Sequence, residues 1–108
     1  MTVFFGLKLS TMTNQFISSI NETAGVAQCL SLQGEVQWSA PRPTMRDWQR
    51  LSPSAKYTEE QLLNGRFGWI NGFEMGEVYI VFRPYAGLDF NLVYAIDSGK
   101  LLRISEAR

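Results

Sequence analysis

Glu77-Val78-Tyr79-Ile80-Val81-Phe82-Arg83 decides how this chain is read. Between its two charged ends every residue is β-branched or aromatic, the side chains that suit a pleated, packed surface. Strand alternation puts Val78, Ile80 and Phe82 on one face and Tyr79 and Val81 on the other. Both faces are then largely apolar, so each needs cover from a second layer, a ligand or a partner.

The stretches on either side extend this strand into a β-meander. Pro84-Tyr85-Ala86-Gly87 reads as a turn, and Asp89-Phe90-Asn91-Leu92-Val93-Tyr94-Ala95-Ile96 as the next strand. Asp97-Ser98-Gly99-Lys100 marks another turn, after which Leu101 to Ser105 pairs back. Upstream, Phe67 to Ile70 is a strand candidate. Asn71-Gly72 after it is a tight-turn pair, because both residues tolerate positive φ. The segment from Tyr94 to Ile104 resembles a strand–turn–strand type found in many β-rich repeat proteins, and no function comes with that resemblance.

Before the meander the pattern changes. Ala40-Pro41-Arg42-Pro43 interrupts regular structure, since two prolines fix φ and remove two amide donors. Thr44 is placed to cap a short helix through Leu51, with Met45, Trp48 and Leu51 near one face. Thr58-Glu59-Glu60-Gln61 is a capping-box pattern leading into Leu62-Leu63, and Asn64-Gly65 closes it. Residues 40–65 are thus expected to be a loop-rich helical insert. Val26 to Leu32 and Glu35 to Trp38 suggest a hairpin around Gly34. Val3 to Leu9 reads as a first strand. Thr11 or Thr13 then caps a helix with Phe16, Ile17 and Ile20 on one stripe, stopped at Gly25. The expected fold is α+β in a single domain spanning residues 1–108. About six mostly antiparallel strands, ending in the meander, curl around one N-terminal helix and the short helical insert.

Composition limits the chemistry. The 108 residues include no histidine and one cysteine, Cys29. A structural zinc site draws on those two residue types, so no metal is expected, and no Asp-x-Asp-x-Asp loop suggests calcium. No cofactor-binding fingerprint is present either: Gly65, Gly68, Gly72 and Gly76 match neither a phosphate loop nor a dinucleotide motif, and turn or bulge geometry accounts for them. Serine has no histidine to serve as its base, no Ser-x-x-Lys occurs, and Cys29 sits inside an apolar strand pattern. A non-enzymatic chain is expected.

Ten basic and ten acidic residues cancel, so no net field steers the chain to nucleic acid or membrane. Arg42, Arg46 and Arg50 recur every four residues beside Trp48, but Asp47 interrupts them, and a solvated helix face accounts for the spacing. The apolar N-terminal stretch is short, with no basic residues before it, and no run approaches the ~20 residues of a membrane span. A cytoplasmic location is the expectation. Unpaired meander edges leave room for a homodimer.

What remains is a surface for another protein. Glu74 and Glu77 flank Gly76 and Asp89 opens the following strand, so the three carboxylates are expected at one end of the sheet. Trp48 and Trp69 are candidate apolar anchors, with Arg46 beside them. A domain so equipped would dock on a partner and block it, as bacterial immunity proteins and antitoxins do. If that partner were a nuclease toxin, the carboxylates would mimic its phosphate substrate. The alternative is a small-ligand binding domain with an aromatic-lined cavity.

Overall fold

The computed structural model describes residues 9–13, 16–21, 25–52 and 56–107. Their strands form two antiparallel sheets of four, with two short helices between the sheets in chain order. The first sheet holds β1 (Leu9–Thr13), β2 (Phe16–Asn21), β3 (Val26–Ser31) and β4 (Val36–Ala40). α1 (Met45–Leu51) and α2 (Glu59–Leu63) follow. The second sheet holds β5 (Arg66–Glu74), β6 (Glu77–Arg83), β7 (Phe90–Ala95) and β8 (Leu101–Glu106). In each sheet spatial order is sequence order, so both are meanders, and β1 and β2 approach β5. The α+β class stands, with two sheets in place of one curled sheet of about six strands.

The N-terminal helix is a correction. Residues expected to be helical form β2, paired with β1 on one side and β3 on the other. Phe16, Ile17 and Ile20 fit a helical stripe, but Thr11, Thr13 and Ile17 are β-branched and favour strands. A helix of about three turns is marginal alone, whereas a strand between two partners satisfies its ladder on both edges. Gly25 ends no helix; at φ +68° it lies in the connection from β2 to β3. Of the expected first strand at residues 3–9, only Leu9 lies within the described residues, where it opens β1.

Asn71-Gly72 is a second correction. β5 runs straight through it, and its register against β6 shifts on both sides of Ile70. Gly72, at φ +155°, carries the backbone through this irregularity. The reversal comes later at Met75-Gly76, both with positive φ (49° and 80°), as a two-residue hairpin turn requires.

The helical insert follows its local signals. Thr44 caps α1 and Thr58 caps α2, each within a reciprocal capping box closed by Asp47 and Gln61 respectively. Seven- and five-residue helices do not persist on caps alone. Trp48 and Leu62 bury themselves against the second sheet's inner face, made of Phe67, Val78, Ile80, Phe82, Phe90, Leu92, Tyr94 and Ile104. The Trp48 ring centroid lies 4.9 Å from Phe90 and 5.7 Å from Tyr57, both edge-on. Ala27 and Ala40 bring the first sheet into the same core. On the other face of β6 and β7, Val81 and Val93 are also buried. No helix among the described residues is long and apolar enough to cross a membrane.

Candidate functional site

The residues expected to meet a partner are dispersed. Trp48 is fully buried and is a core residue, so no partner can reach it. Glu74 and Glu77 are cross-strand neighbours at the Met75-Gly76 turn, but Asp89 stands at the opposite end of β6, next to Arg83. The seven residues of β6 separate the carboxylates by roughly 20 Å, so no three-carboxylate cluster forms at one end.

All three acids are also engaged. Arg103 on β8 forks onto Glu77, and this hydrogen bond holds the Glu77 carboxyl below the usual carboxylate range. The Tyr79 hydroxyl donates to Glu74 at 3.3 Å and accepts from Arg103 at 3.3 Å, closing a surface chain Glu74–Tyr79–Arg103–Glu77. At the far end the Arg83 Nε donates to Asp89 at 2.8 Å. Arg46 is exposed on α1, and Trp69, on β5, keeps 44% of its surface exposed. Arg42 donates through its Nε to the Gly65 carbonyl at 2.8 Å.

The single thiol is chemically quiet. Cys29 is fully buried on β3, and burial pushes its pKa up to about 11. Folding thus favours the protonated thiol. That contribution is whole below about pH 9 and disappears as pH rises from about 9 to about 11. Folded protein at about pH 8 is expected to resist iodoacetamide under conditions that alkylate the urea-unfolded chain completely, as read by mass spectrometry. Equal rates in the two states would show that the thiol is accessible.

The most organised exposed feature is the loop between β6 and β7, legible in the sequence as a turn but not as a clamped one. Two residues, Gln61 and Tyr57, fix it from outside. The Tyr85 amide donates to the Gln61 carbonyl at 2.9 Å, and the Gln61 side-chain amide donates back to the Tyr85 carbonyl at 3.0 Å. The Leu88 amide donates to the Tyr57 hydroxyl at 3.1 Å. The Arg83–Asp89 pair closes the base. Ala86 is held at φ +56°, a conformation a non-glycine residue keeps only where its surroundings enforce it. Gly87 lies so close to the Tyr57 ring that an added Cβ would sit 2.6 Å from it. From this rigid base Tyr85 and Leu88 project into solvent, 66% and 65% exposed, and Leu63 of the same α2 that clamps the loop is 63% exposed. The signal available in the sequence was compositional: a Pro-Tyr-Ala-Gly-Leu turn is apolar where turns are usually polar.

Comparison of the chain with protein-family models, curated proteins and solved structures finds no match.

Proposed function

We propose that this chain is a non-enzymatic protein-binding domain that docks through the β6–β7 loop and acts by occupying its partner, as immunity proteins and antitoxins do. The observation that carries this reading is the clamped loop with Tyr85 and Leu88 exposed at its tip. Large apolar side chains held outward on a rigid backbone reach a partner's pocket without losing loop entropy on binding. Tyrosine suits such a tip because it presents a large flat ring and a polar end. Arg83 with Asp89 supplies a charged rim.

The test is a capture experiment run in parallel with two baits, the wild-type protein and the Tyr85→Ala/Leu88→Ala double variant. Both side chains are mostly exposed and the loop's bonds are made by backbone, so melting temperatures should agree within a few degrees. A stoichiometric partner held by the wild type and lost, by at least about tenfold in affinity, from the variant is the expected result. A partner held equally by both would remove the loop from the interface. Absence of any stoichiometric partner would overturn the binding reading itself.

A further inference from the structure

A groove of about 310 Å³ lies away from the β6–β7 loop, between the end of β4, the Pro41–Thr44 connection, α1 and the β7–β8 corner. Its walls include Ala40, Pro41, Pro43 and Leu101, which are apolar. Its charged groups are Arg42, Arg50, Lys100 and Asp47. Asp47 is engaged by its own helix, accepting from the Thr44 amide and facing Arg50 at 3.6 Å. Arg42 is held to the Gly65 carbonyl through its Nε. Three cations against one carboxylate leave the groove with a local excess of two positive charges, although the whole chain is neutral.

Tyr94 gives this groove its direction. The residue is 2% exposed and lines the groove, with its ring packed 5.7 Å from Trp38. Its hydroxyl has no hydrogen-bond partner among the described residues. Buried hydroxyls are nearly always hydrogen-bonded, because leaving one unpaired is unfavourable, and phenylalanine would fill the same core space without that penalty. Burial, with the Asp47 carboxylate adding to it, raises the Tyr94 phenol well above its ordinary value. It is therefore a neutral donor throughout the physiological range.

We infer that this groove is a binding site for a small organic anion, a carboxylate or phosphate monoester with a compact apolar body. The Tyr94 hydroxyl donates to the anion, Arg50 and Lys100 supply the countercharge, and the two prolines and Leu101 pack against the apolar body. The volume stands at the lower end of known ligand pockets and suits a small metabolite rather than a peptide segment. The site is separate from the docking loop, and neither reading depends on the other.

The experiment titrates wild type and Tyr94→Phe with benzoate, phenyl phosphate, inorganic phosphate and neutral benzyl alcohol by calorimetry, and melts both proteins without ligand. The wild type is expected to bind benzoate or phenyl phosphate, more weakly as salt rises, and not benzyl alcohol. The variant should bind at least about tenfold more weakly, because a hydrogen bond to a charged group is lost. The same variant should melt at an equal or higher temperature, since an unpaired buried hydroxyl has been removed. Arg50→Gln/Lys100→Gln, altered only at exposed positions, should also weaken binding about tenfold with its melting temperature unchanged. Preference for benzoate or for phenyl phosphate names the anion, and binding of inorganic phosphate alone would remove the apolar body from the assignment. No binding of any anion at tens of millimolar, equal binding by Tyr94→Phe, or equal binding of benzyl alcohol would each overturn the proposal.

Discussion

Trp48→Ala is expected to destabilise the protein by about 4–5 kcal/mol, a large share of the roughly 5–15 kcal/mol of an ordinary domain. The side chain is fully buried, and its ring is enclosed by Tyr57, Phe82 and Phe90. Removing it would leave a void the size of an indole in the middle of the core. The loss extends beyond transfer energy. α1 has only seven residues, and Trp48 is the one it buries fully, so this residue ties the helix to the second sheet. Trp48→Phe, which keeps a ring in the space, should lose about half as much. Urea denaturation followed by far-ultraviolet circular dichroism measures both variants. A loss below about 2 kcal/mol in the alanine variant would mean that α1 docks by some other means.

This role of Trp48 was half legible. Its place beside Met45 and Leu51 on a short helical face pointed inward, but an isolated tryptophan among arginines also fits a surface anchor. Only packing against Phe90, far away in sequence, and Tyr57, beyond the end of α1, decides the matter. The same contrast runs through the fold. The capping boxes at Thr44 and Thr58 and the β6 strand were readable because their causes are local: a hydroxyl three residues before its amide, or an unbroken β-branched and aromatic run. β2 was misread because a short apolar stretch carries too few residues to separate period 2 from period 3.6, and strand pairing on both edges settled it. The carboxylates were misjudged for another reason. Glu77 and Asp89 look close when strand ends are treated as one place, yet antiparallel pairing sends the start of β6 and the start of β7 to opposite ends of the sheet. The turn at Pro84 to Gly87 was legible, but its rigidity was not, because that comes from Gln61 and Tyr57, which no pattern within residues 84–88 reveals.

Gly99→Ala is expected to lower stability by about 2–4 kcal/mol, the second-largest effect. Two causes add. Gly99 sits at φ +76°, where a Cβ costs about 1 kcal/mol. That Cβ would also lie 2.5 Å from Cδ2 of Trp38, inside the indole's contact distance. Trp38 cannot easily retreat. Its Nε1 donates to the Ile96 carbonyl at 2.6 Å and its ring packs on Tyr94, so it is β4's fastening to the β7–β8 corner. Moving the indole would break that bond and loosen the first sheet from the second. Gly34→Ala separates the two causes, because Gly34 also has positive φ, +89°, but a Cβ there meets nothing within 4 Å. It should lose only the backbone part, about 1 kcal/mol. Thermal unfolding of the two variants in parallel, with near-ultraviolet circular dichroism as a monitor of tryptophan packing, reads the difference. An excess of at least about 1 kcal/mol for Gly99→Ala, with an altered aromatic signal, would assign to Gly99 the role of leaving room for Trp38 between the sheets. Equal losses at the two glycines would show that the indole gives way freely and that Trp38 is not what joins the sheets.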